Sequence, residues 1–83
     1  MKVYEVSRER DADRKVFAVK RERDADLKYF VVDKERKAKE DYLWYFVDKE
    51  RKADRTIYWV DRERDADVLV YEVDKERKGQ GYF

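Results

Sequence analysis

The chain contains no cysteine, no histidine and no proline, and its only glycines are Gly79 and Gly81. Without cysteine no disulfide can staple the fold, and without cysteine or histidine the thiolate and imidazole metal sites are excluded. Hydroxyl nucleophiles are almost as scarce, with Ser7 and Thr56 the only serine and threonine. A Ser or Cys triad is therefore impossible, and general acid–base work would fall to carboxylates set among basic residues that keep them ionised. These residues imply no enzyme and no cofactor. Long apolar runs are missing too: none approaches the roughly 20 residues of a membrane span. The opening Met1-Lys2-Val3-Tyr4-Glu5 lacks the apolar core of a signal peptide. A soluble protein follows as the expectation, intracellular if the chain is natural.

What fills the chain instead is charge, at 52% of 83 residues, with 22 basic and 21 acidic side chains and a net charge of +1. Composition alone would suggest disorder. The apolar residues, however, gather in blocks such as Tyr42-Leu43-Trp44-Tyr45-Phe46-Val47 and Val68-Leu69-Val70-Tyr71. Such blocks can form a core, and the length suits one domain with a thin stability margin.

The blocks recur. Val6, Val19, Val32, Val47, Val60 and Val73 each end an apolar run and precede a charged stretch. Six glutamates (Glu9, Glu22, Glu35, Glu50, Glu63, Glu76) each lead an arginine, and an alanine follows at Ala12, Ala25, Ala38, Ala53 and Ala66, with Gly79 in the last copy. The valines are spaced 13, 13, 15, 13 and 13 apart. One two-residue insertion, placed at Lys39-Glu40, thus divides six units into three and three. A single repeat domain of units 1–13, 14–26, 27–40, 41–54, 55–67 and 68–83 follows.

Each apolar run is rich in Val, Ile, Tyr, Phe and Trp and reads as a strand. An aromatic stands two places before every valine, at Tyr4, Phe17, Phe30, Tyr45, Tyr58 and Tyr71, on the valine's own strand face. The charged stretch reads as one or two helical turns, with Ser7, Asp33, Asp48, Asp61 and Asp74 at N-cap positions. Alternating strand and helix predicts an α/β fold: a curved, mostly parallel sheet with short helices on one face. Strands lie ~4.8 Å apart but helices need ~8–10 Å, so the sheet must curve. Glu5 and Glu72 then look like polar edges of an open sheet. An antiparallel meander with helical corner loops is the alternative architecture.

Units of the form aromatic-x-V-D-x-E-x-x-A-D, as in Tyr45-Phe46-Val47-Asp48-Lys49-Glu50-Arg51-Lys52-Ala53-Asp54, resemble the short tandem repeats of a small bacterial family of unknown function. That resemblance implies a repeat fold and no activity. It departs at arginines such as Arg10, Arg36 and Arg64, where that family tends to have serine. The regularity of the units and the missing residue types also suit a designed or engineered chain.

Three surfaces invite a functional reading. The D-x-D pairs Asp11-Ala12-Asp13, Asp24-Ala25-Asp26 and Asp65-Ala66-Asp67 lack the spacing and glycine of a calcium loop, and are read as carboxylates bonded to backbone or to an arginine. The aromatic content would allow base stacking, but acids and bases alternate in every block, so no cationic stripe forms for nucleic acid. The face opposite the valines carries Tyr29, Val31, Trp44, Phe46, Ile57 and Trp59, which the helices would leave bare. A bare parallel sheet face of this kind predicts a homodimer packed face to face, or a binding module for nucleic acid or peptide. The expected role is a non-enzymatic structural or self-associating repeat module.

Overall fold

The computed structural model describes residues 1–83 and shows six short strands: β1 (Lys2–Glu5), β2 (Arg14–Ala18), β3 (Leu27–Val31), β4 (Leu43–Phe46), β5 (Arg55–Trp59) and β6 (Val68–Glu72). All are paired in parallel, and they close into a barrel in the order β1-β4-β3-β6-β2-β5. This overturns both the open α/β sheet and the antiparallel meander. There are no α-helices. Each charged stretch holds one three-residue 3-10 turn: Glu9–Asp11, Glu22–Asp24, Glu35–Lys37, Glu50–Lys52, Glu63–Asp65 and Glu76–Lys78. The cap position falls on a basic residue, Arg8, Arg21, Lys34, Lys49, Arg62 or Lys75, without a side-chain cap bond. The aspartates expected as caps lie one residue too early.

The order around the ring explains the insertion. Four of the five connections carry the chain past one strand to the next but one, always in the same sense. On a ring of six such steps return to the start after three strands. β1, β2 and β3 therefore take alternate places, and a fourth equal step would land on β1. The connection from β3 to β4, which holds Lys39-Glu40, moves by a single place instead. β4, β5 and β6 then fill the gaps, after one and a half circuits of the ring.

Register is equally regular. Val3 pairs with Arg55, Ile57 with Arg14, Val16 with Val68, Val70 with Leu27, Val31 with Trp44, and Phe46 with Val3. In terms of the repeat, each junction drops two residues, so six junctions displace the register by twelve and the strands tilt steeply. Each strand pairs with one neighbour through its first half and with the other through its second. Because every junction has the same offset, equivalent residues of the six units lie in one layer across the barrel. The middle layer is Val3, Val16, Tyr29, Trp44, Ile57 and Val70, all buried. Beneath it Met1, Leu27 and Val68 are buried, and Tyr42 and Phe83 pack against them. The molecule is a flattened disc of 33 × 29 × 16 Å, three side-chain layers deep.

The face opposite the valines is thus the barrel interior, covered by closure of the ring. The aromatic column at Tyr4, Phe17, Phe30, Tyr45, Tyr58 and Tyr71, on the valines' face, lies outside and is half-buried. The connections run over it: the turn Glu9–Asp11 lies on β5, Glu50–Lys52 on β1 and Glu63–Asp65 on β2. Ala25, Ala38, Ala53 and Ala66, within these thin connections, are half-buried.

Candidate binding site at the barrel mouth

The aspartates that end the charged stretches hold the outer layer to the barrel. The Asp67 N–H donates to the Lys15 carbonyl at 2.7 Å, and its Oδ2 accepts the Lys15 N–H at 2.9 Å. Asp54 does the same to Lys2, Asp13 to Thr56 and Asp26 to Leu69. The steep stagger leaves the first residues of each strand with free backbone groups on one side, and the aspartate satisfies both. In the last unit Gln80 takes over with two backbone bonds to Lys28. The second aspartates of the D-x-D pairs are therefore backbone clamps, in line with a structural use of those carboxylates.

The ion pairs join lysine to acid: Lys2 to Glu35, Lys15 to Glu9, Lys28 to Glu22, Lys37 to Asp33 and Lys78 to Asp74. None of the chain's arginines takes part. The Arg14 guanidinium instead sits 5.8 Å over the Phe83 ring, which closes the barrel at the amino ends of the strands. Phe83 also meets Trp44 edge-on, and its N–H donates to Asp41. The Met1 ammonium lies beside the same loop and donates to the Ala38, Glu40 and Leu43 carbonyls. Burial pushes its pKa down, against the pull of Asp54, Asp41 and Glu40. A shallow hollow of about 550 Å³ between Asp41, Tyr42, Gly79 and Tyr82 lies at this end.

The other end, at the carboxyl termini of the strands, has no plug. Its layer runs Glu5, Trp59, Ala18, Glu72, Val31, Phe46 around the ring. Glu5 and Glu72 are three places apart in either direction, so they face each other across the mouth. The Trp59 Nε1 donates to Glu5 at 2.6 Å, and Glu72 has no ion-pair partner. Phe46 and Trp59 are half-buried walls, and Val31 is 37% exposed. On the floor lies Tyr29, 6% exposed and stacked on Trp44 with ring centroids 4.0 Å apart. Burial, with Glu72 and Glu5 adding to it, pushes its phenol up to about 12. The hydroxyl therefore sits within the field of both carboxylates, and no hydrogen-bond partner in the chain takes it.

Of the six residues expected to form a self-association face, Tyr29, Trp44 and Ile57 lie within the barrel, while Val31, Phe46 and Trp59 meet solvent at the mouth. The structure brings all six onto one interior surface. The linear reading set Glu5 and Glu72 at the two far edges of this face; what it missed is that they stand across one mouth from each other. Their place in the repeat, two residues past the middle-layer Val3 and Val70, was visible; their opposition follows only from closure.

A family model for the 7(1) septoil knot domain matches residues 1–79. No curated protein and no solved structure matches the chain.

Proposed function

The chain belongs to the septoil knot family, and from that premise we propose that it is a non-enzymatic structural repeat module. The supporting observation is where its reactive-type groups are spent. Asp13, Asp26, Asp54 and Asp67 clamp backbone, and the interior is filled by side chains packed on Trp44. The test is a panel of chromogenic esters, phosphate esters and glycosides. No turnover above buffer is expected, and turnover abolished by Glu5→Gln or Glu72→Gln would overturn the reading.

Self-association is the second reading, moved from a sheet face to the mouth. The observation favouring it is that Val31, Phe46 and Trp59 reach solvent there. Light scattering between about 10 and 500 μM tests it. A mass that rises with concentration in the wild type, and not in Trp59→Lys, supports it; a constant monomer mass removes it.

A further inference from the structure

The mouth differs from every other part of the surface. Elsewhere acids alternate with bases along the chain, and many of them are paired with lysines or with backbone. At the mouth two carboxylates stand opposite each other on a ring otherwise made of Trp59, Phe46, Val31 and Ala18. No basic side chain belongs to that layer. Below them Tyr29 is 6% exposed, and its hydroxyl, which makes no bond within the chain, lies at the part of the side chain that solvent reaches. A hydroxyl that meets solvent at the floor of the mouth and has no partner within the chain is free to bond a ligand there.

We propose that the barrel mouth is a binding site for a guanidinium group, held between Glu5 and Glu72 and stacked against Trp59 and Phe46. The geometry suits that cation for three reasons. A guanidinium is planar and spreads its charge, so it can lie on an aromatic face while its edges reach carboxylates. Its donors form a fork and can serve acceptors on opposite sides. Its weak hydration makes the transfer into a half-apolar ring less costly than for an ammonium or a metal ion. The phenol oxygen of Tyr29 supplies a further acceptor beneath. The same chemistry has a source within the protein, because its exposed turn arginines, such as Arg10, Arg23 and Arg64, have no acidic partners. A second copy could therefore offer the group, as could a separate basic peptide.

The site goes beyond a purely structural role, and its test reads binding, not turnover. N-acetyl-arginine amide is titrated into the full chain at about 0.15 M salt. Trp59 fluorescence and the backbone amide resonances of Val31, Phe46 and Glu72 are followed. Saturation in the range of about 1–10 mM is expected. Glu5→Gln and Glu72→Gln should each weaken it about three- to tenfold, while Glu63→Gln on an exposed turn should leave it unchanged. Light scattering separates the sources. If mass rises with protein concentration and falls when the arginine amide is added, the partner is a second copy. If the amide binds and the mass stays monomeric, the guanidinium comes from another chain. No saturable change up to about 20 mM, or saturation that persists in the Glu5→Gln/Glu72→Gln double variant, would overturn the proposal. So would a stronger response to calcium chloride than to the arginine amide.

Discussion

Asp67 makes two bonds to one residue of a strand 52 positions away in sequence, and three other aspartates repeat the arrangement. Such a clamp satisfies an N–H and a carbonyl that the staggered sheet leaves free, and its carboxylate bond is charge-assisted. Asp67→Ala should therefore destabilise by about 1–2 kcal/mol, the exposed setting holding the figure down. Asp61→Ala, at an exposed position, should stay within about 0.5 kcal/mol. Urea midpoints of the two variants check the difference. Tyr29 supplies a second prediction, from its phenol at about 12 against an ordinary 10.0. Between those values the unfolded chain has released a proton that the folded chain keeps. The stabilisation is thus present below pH 10 and is lost as pH rises through about 12, amounting to about 1–2 kcal/mol once the water that reaches the hydroxyl at the mouth is allowed for. Urea titrations at stepped pH, wild type minus Tyr29→Phe, isolate this loss from lysine titration. Glu72→Gln should bring the late tyrosinate absorbance step to lower pH. The repeat itself showed that the terminal aspartates recur and that they could bond backbone. Which backbone they bond depends on strands brought together from other units, and no spacing within one unit encodes that.

At the scale of the element, the strands were legible and the helices were not there. Period-two alternation placed all six apolar runs, because a strand half-buried on each face needs it. The charged stretches carry good helix formers, yet only eight residues separate Ala18 from Leu27 or Trp59 from Val68. Those eight must leave the barrel, cross over a strand, descend its outer face and place an aspartate on the strand beneath. An α-helical nucleus fixes several residues before it gains its bonds, so a single 3-10 turn is what fits. The conflict between strand and helix spacing did point to curvature. Closure of the ring is that curvature carried to its limit, and it removes the open edges that Glu5 and Glu72 seemed to guard. The last unit shows how tightly the elements meet. A Cβ on Gly79 would lie 2.5 Å from Tyr42 Cδ1, where five other units carry alanine. Gly79→Ala should cost about 1–3 kcal/mol by overpacking. Ala66→Gly, the reverse change in an unobstructed unit, should cost about 0.5–1 kcal/mol through chain entropy. Thermal or urea melts of both variants test the pair.

Across the whole molecule, the three-and-three division marked by Lys39-Glu40 carries the architecture. Every strand pair joins one of β1, β2 and β3 to one of β4, β5 and β6, and none lies within a half. The insertion was plain in the sequence as a seam. Its meaning was not, because a seam between adjacent stacks and a shift by one place on a ring leave the same mark on valine spacing. Interleaving has a strong consequence for folding. All pairs except β3 with β4 close loops of some 43 to 52 residues, as between Lys2 and Tyr45 or Val3 and Arg55. Non-local pairing of this kind slows folding, since loop entropy is lost before contacts repay it. A fragment of residues 1–40 holds three strands with no neighbour to pair with, and so does a fragment of residues 41–83. Each alone should give the far-UV circular dichroism of an unfolded chain. Mixed at equal concentration, they should develop strand signal together, with a midpoint that depends on concentration as for any two-chain assembly. Strand signal in either fragment by itself, at low micromolar concentration, would show pairing inside a half and would refute the interleaved order.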